Sequence, residues 1–160
     1  MDETLAPGED GERAAIRLAQ AKASAVAHTD PRPVLAADTL VLCDGRILGK
    51  PASAADATEM LGLLSGRAHE VVTGVCLVSA GVPRTAVERT TVHFAPLSAA
   101  EIDWYVATEE PLDKAGAYHV DGRAALFITA ISGSPSNVAG LPVRTVLALA
   151  RDAGLDLGLV

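Results

Sequence analysis

Asp38 is a charge inside the otherwise apolar run VLAADTLVLC, residues 34–43. An unpaired carboxylate in such a strand costs on the order of several kcal/mol in desolvation, so Asp38 needs a partner. A metal ion, a lysine or a strand end open to a cleft would each serve, and each is also the setting of a carboxylate that handles protons. A carboxylate paired structurally near a strand terminus leaves the same pattern. Lys50 lies in G-K-P, where Gly49 and Pro51 fix it on a short rigid loop suited to a phosphate contact; a simply solvated lysine has the same signature. The stretch PLDKAGAYHVDG gathers Asp113, Lys114 and Asp121 between a helix and a strand, where a rigid scaffold commonly holds binding residues, although an exposed charged turn reads alike. SGSPSNVAGLP is a second small-residue loop, leading into a helix whose free N–H groups could receive an anion or could simply continue the chain.

Other chemistries lack their residues. There is no Walker-type phosphate loop, dinucleotide fingerprint, H-E-x-x-H or G-x-S-x-G. His28, His69, His93 and His119 have no metal-ligand spacing and read as structural or surface residues. Ser65 and Ser132 have no accompanying His/Asp order, and Cys43 and Cys76 sit in apolar runs as small hydrophobes rather than nucleophiles. Trp104 and Tyr105, on one helix, read as packing groups. Lys and Arg number 13 against 20 Asp and Glu, a formal net charge of −7, so no basic field gathers nucleic acid or anionic membrane. A small phosphate ligand held by local cations remains compatible with that balance. The N-terminal MDETLAPGEDGE is acidic where a signal peptide would be basic and then apolar, and the apolar runs are too short to span a bilayer. A soluble, cytoplasmic protein in a reducing compartment is the expectation.

The elements that must position these residues follow from periodicity. A chain of 160 residues suits one domain. Residues 12–28 carry apolar positions at helical spacing, including Ala15, Ile16, Leu18, Ala19, Ala23 and Val26. The Asp38 run reads as a buried strand that turns at Asp44-Gly45 into a short RIL strand. Ser53 with Asp56 caps a helix ending before Gly66, and Ser98 with Glu101 caps another that Pro111 limits. Between them, residues 69–78 and 84–94 form a hairpin through SAGVP. AALFITAI reads as a strand, and the last helix spans Pro142 to Ala153 with Gly154 behind it.

Five segments occur together in an order and spacing that resemble the Maf family of nucleoside triphosphate pyrophosphatases. They are AADTLVLCDGRILGKP (36–51), LSGRAHEVVTGVCLV (64–78), PLSAAEIDWYV (96–106), PLDKAGAY (111–118) and SNVAGLP (136–142). The resemblance implies a single α/β domain, a long mixed β-sheet flanked by helices with a central nucleotide cleft, like that of the inosine triphosphate pyrophosphatases. It implies a house-cleaning hydrolysis between the α and β phosphates of canonical or modified nucleoside triphosphates, to a monophosphate and pyrophosphate, with a divalent cation, Mg or Mn. By position, Asp38 matches the family's proton acceptor and also a metal ligand, and Glu3 in DET matches a second metal-holding acid. Thr39, Lys22 and Lys50 match substrate-binding residues, the lysines facing phosphate. Asp121 stands where the thymidine- and uridine-preferring branch has glutamine, so that branch's pyrimidine preference is not carried over. A homodimer is implied too. The family begins with a strand and an S-x-S-P-R-R loop whose arginines grip triphosphate. This sequence matches from the following DET, so an N-terminally truncated domain of low activity, arising from a start codon set too far downstream, is expected. The family's association with septum formation leaves a second reading, a catalytically weak nucleotide-binding or regulatory protein.

Overall fold

In the computed structural model, which describes residues 8–29 and 31–158, two left-handed turns set the register of the sheet. Asp44 (φ 49°) and Gly45 (φ 73°) join β1 (Val34–Cys43) to β2 (Arg46–Leu48), and Ala80 (φ 50°) and Gly81 (φ 75°) join β3 (Ala68–Ser79) to β4 (Val82–Phe94). Two residues at positive φ match the twist of a hairpin, which is why Asp-Gly works so well there. Val82 and Pro83 thus belong to β4 rather than to a five-residue connection. With β5 (Ile128–Ser132) the order is β2-β1-β3-β4-β5.

The fold class is the expected one, a single α/β domain, but the described pairings are antiparallel throughout rather than mixed. Tight hairpins join two of the pairs, and no described helix returns the chain as a parallel neighbour of the strand it left. In β1 and β3 the register sets Asp38 opposite Gly74 and Thr39 opposite Thr73.

Alternation sends these two rungs to opposite faces. The face of Leu40, Val72, Gly74 and Cys76 is covered by α1 (Gly11–Ala27), whose Ala14, Ala15, Ala19 and Ala23 are fully buried. Alanines allow a close approach, and a side-chain carbon at Gly74 would overlap the backbone of Ala15. Val26, grouped with the apolar face by spacing, is 50% exposed where α1 runs off the sheet. The other face packs on α2 (Ala54–Leu64) and α3 (Ala99–Val106) over one half, and on α5 (Val143–Asp152) over the other. Ser53 Oγ accepts from the Asp56 amide, while the Asp56 carboxylate takes the Ala52 amide. Ser98 and Glu101 form the complete reciprocal cap.

Two stretches differ from expectation. The start of AALFITAI, residues 124–126, belongs to a 3-10 turn, Arg123–Leu126, and only Ile128 onward joins the sheet. The small-residue loop contains a single helical turn, α4 (Pro135–Val138), capped by Ser134 Oγ. Trp104 is 46% exposed, whereas its neighbour Tyr105 is fully buried. Cys43 and Cys76 are free and buried, and burial pushes both thiols up.

Candidate active site

A cleft of about 530 Å³ opens where β2 stops. β2 pairs only with Val41–Cys43, so over residues 34–40 the described strand neighbour of β1 is β3 alone. The cleft reaches round this margin and meets side chains from both faces of β1: Asp38 on the α1 side and Thr39 on the other.

Asp38 is 9% exposed, and the Lys22 ammonium of α1 forms an ion pair with it. Lys22 follows Leu18 by one turn, so both point from α1 into the cleft. The partner that the strand carboxylate required is thus a lysine 16 residues earlier in the chain. Across the strand, Thr39 Oγ1 lies 2.9 Å from Thr73 Oγ1, and Thr73 donates to the Asn137 carbonyl at 3.3 Å. Asn137 is fully buried and donates through Nδ2 to the Val71 carbonyl (3.0 Å) and to Thr90 Oγ1 (2.9 Å). These bonds pin the end of α4 and the loop after it, where Val138, Ala139 and Gly140 line the cleft.

Lys50 enters from the loop after β2. The Gly49 carbonyl beside it accepts from the Gly116 amide at 3.0 Å, tying this loop to the 3-10 turn Ala115–Ala117. Gly116 takes φ 69° with its α-carbon against Val41, where a side chain would press on the valine methyls at 2.9 Å. Asp113 and Lys114 line the same mouth, and their hydrogen bond, with Lys50 nearby, holds the Asp113 carboxyl below its usual range. Three lysines and two aspartates therefore line a cleft in a chain whose formal charge is −7. Such a cluster focuses positive potential in a concave, partly apolar site.

The opposite wall contains Tyr118, His119 and Val120. Tyr118 Oη and His69 Nε2 are 2.9 Å apart, with both rings packed edge-on against Phe94. Burial, with His93 nearby, lowers the His69 pKa to about 4, and burial raises that of Tyr118. The tautomer of the neutral imidazole sets which of the two donates. His69 Nδ1 and Asn137 Oδ1 are the two buried side-chain polar atoms without a hydrogen-bond partner among the described residues.

Lys22, Asp38, Thr39, Lys50 and Asp113 are thus brought together. Asp121 is exposed and lies outside the cleft lining, one residue beyond Val120. Glu3 falls outside the described residues. The cleft meets the C-terminal end of α4 rather than a helix N-terminus, and the first amide of α5 donates to Ser136 Oγ at 3.2 Å. His119 was read as structural or surface, yet it lines the cleft; a histidine with no partner spacing carries no sequence signal for that position.

The family model described as Maf-like protein matches residues 1–153. A relative from Anaeromyxobacter sp. strain Fw109-5, named dTTP/UTP pyrophosphatase, is 50% identical over 98% of this chain and 77% of its own length. One of the same name from Symbiobacterium thermophilum is 56% identical over 84% and 71%, and one from Bacillus cytotoxicus is 50% identical over 92% and 78%. With the family model matching residues 1–153 and relatives about half identical over most of its length, the chain belongs to the Maf-like protein family.

Proposed function

We propose that this chain is a nucleoside triphosphate pyrophosphatase, cleaving the bond between the α and β phosphates to give a nucleoside monophosphate and pyrophosphate. The observation that carries the reading is Asp38: a carboxylate 9% exposed in a nucleotide-sized cleft, paired with Lys22 of α1, with Lys50 lining the same cleft. The names of the relatives make dTTP and UTP the first substrates to test.

In the proposed reaction a water oxygen attacks the α phosphorus, and Asp38 accepts the water's proton. The bond from the α phosphorus to the bridging oxygen breaks, and pyrophosphate leaves with the electron pair. Lys22, resting against Asp38, turns to a phosphate oxygen when substrate enters, and Lys50 meets the leaving pyrophosphate as a point charge. Thr39 bounds the substrate on the opposite face of β1, and Asp121 approaches the base from the end of its turn.

The donors present fit a divalent cation shared with substrate. Among the described residues no group of three His, Cys, Asp or Glu side chains could hold an ion alone, and Asp38 is the buried carboxylate of the cleft. Magnesium commonly binds through one or two carboxylates plus substrate phosphates, so Asp38, with Glu3 beyond the described residues, would hold it there. When bound, the cation neutralises phosphate charge and makes the attacking water more acidic.

Product analysis tests the reading. Incubation of dTTP with the purified chain and Mg should give dTMP and pyrophosphate in equal amounts. Release of orthophosphate with dTDP would overturn it.

A further inference from the structure

Tyr105 and Glu110 lie outside the cleft lining, yet they hold the segment that forms its wall. Tyr105 is fully buried in α3, and the Glu110 side chain is 15% exposed. Tyr105 Oη donates to Glu110 Oε1 at 3.0 Å and accepts from the His119 amide at 3.1 Å. Glu110 Oε1 also accepts from the Arg123 amide at 2.8 Å, and Oε2 takes the Arg123 guanidinium at 3.2 Å. The 3-10 turn Arg123–Leu126 has no capping side chain of its own, so the Glu110 carboxylate supplies the cap from 13 residues upstream. Gly122 permits this, because a side-chain carbon there would overlap Glu110 Oε1.

Both ends of the four-residue stretch from His119 to Gly122 are therefore fixed by one carboxylate–phenol pair. The His119 carbonyl closes the stretch by accepting from the Gly122 amide at 3.0 Å. His119 and Val120 face the cleft, and Asp121 sits between them and the clamp. Nothing else regular shapes this segment, which is neither helix nor strand.

We infer that Tyr105 and Glu110 are positioning residues for substrate discrimination, holding in place the turn whose His119 and Val120 line the cleft. The inference rests on the pyrophosphatase reading and adds which residues outside the cleft lining decide between substrates. The clamp touches neither Asp38 nor the cleft lysines, so it alters the choice among substrates more than the chemical step.

The test measures kcat/KM for dTTP, UTP, dCTP and dGTP on wild type, Tyr105→Phe and Glu110→Gln, each expressed relative to dTTP. These ratios do not depend on the fraction of enzyme folded, so a merely structural role leaves them unmoved. Tyr105→Phe removes one oxygen and keeps the ring packing. The expected result is a shift of about fivefold or more in at least one ratio, the scale of one lost hydrogen bond. Ratios within about twofold of wild type in the folded variants would overturn the inference. So would failure of both variants to fold, since the clamp would then serve only as support. A wild-type chain that releases no pyrophosphate from any substrate refutes the functional reading itself, a failure seen without the variants.

Discussion

Lys50 and His69 show how differently two titratable side chains serve the same cleft. Lys50 is presented by a loop tied through Gly49 to Gly116, and among the described residues its charge reaches the cleft without a partner as close as Asp38 is to Lys22. Lys50→Ala should lower kcat/KM for dTTP by about a hundredfold, the order seen when one preorganised stabilising group is removed, with little change in melting temperature. An unchanged kcat/KM would take Lys50 out of the proposed mechanism. His69 is a buried neutral hydrogen-bond partner of Tyr118, with a folded pKa near 4 against 6.5 in the open chain. Between those values the unfolded state binds the extra proton, so stability is full above pH 6.5 and falls as pH drops towards 4. The loss at pH 4 is on the order of 3 kcal/mol. Denaturant titrations across this window should show the decline, and His69→Gln should flatten it; an equal slope in the variant would assign the pH dependence to other groups.

At the scale of elements, the contact between α1 and the sheet sets how far Lys22 reaches. Gly74 lets the backbone at Ala15 rest on β3, and Lys22 lies two turns further along the same helix. Gly74→Ala should destabilise the fold by about 3 kcal/mol, because backbone rather than a flexible side chain must move. It should also depress activity at temperatures where the variant is still folded, since α1 must lift from Asp38. A variant with wild-type stability would mean that α1 packs less closely than described. The parts of this architecture legible in the sequence are those set by neighbours a few residues apart: the Asp44-Gly45 turn, the Ser53 and Ser98 caps, and the ten-residue strand around Asp38. Ala124–Leu126 read as a strand because their residues suit one, and the carboxylate that caps the 3-10 segment they form with Arg123 comes from Glu110. A buried charge at Asp38 announces a missing partner, but that the partner is Lys22, 16 residues away, comes from the structure. His119 breaks no local rule, and its place in the cleft lining leaves no mark in the sequence.

For the whole molecule, an acidic chain binds an anionic ligand only where its cations are gathered and its own acids are paired. The cleft meets that condition with Lys22, Lys50 and Lys114, drawn from α1, the loop after β2 and the turns after α3. KM for dTTP should therefore rise with ionic strength, while kcat holds, over the range in which the Debye length shortens from about 30 to about 8 Å. A KM insensitive to salt would show that charge focusing in the cleft contributes nothing to capture. No described helix is long and apolar enough to cross a membrane. The central claim is that Asp38 carries the proton in cleavage between the α and β phosphates. Asp38→Asn keeps the size of the side chain and removes its basicity, so the most direct measurement is pyrophosphate release from dTTP by wild type and this variant under single-turnover conditions, with nucleotide binding followed in parallel. Wild type is expected to release pyrophosphate, and a variant that still binds nucleotide to do so about a hundredfold or more slower. Pyrophosphate release by Asp38→Asn at the wild-type rate would contradict that claim.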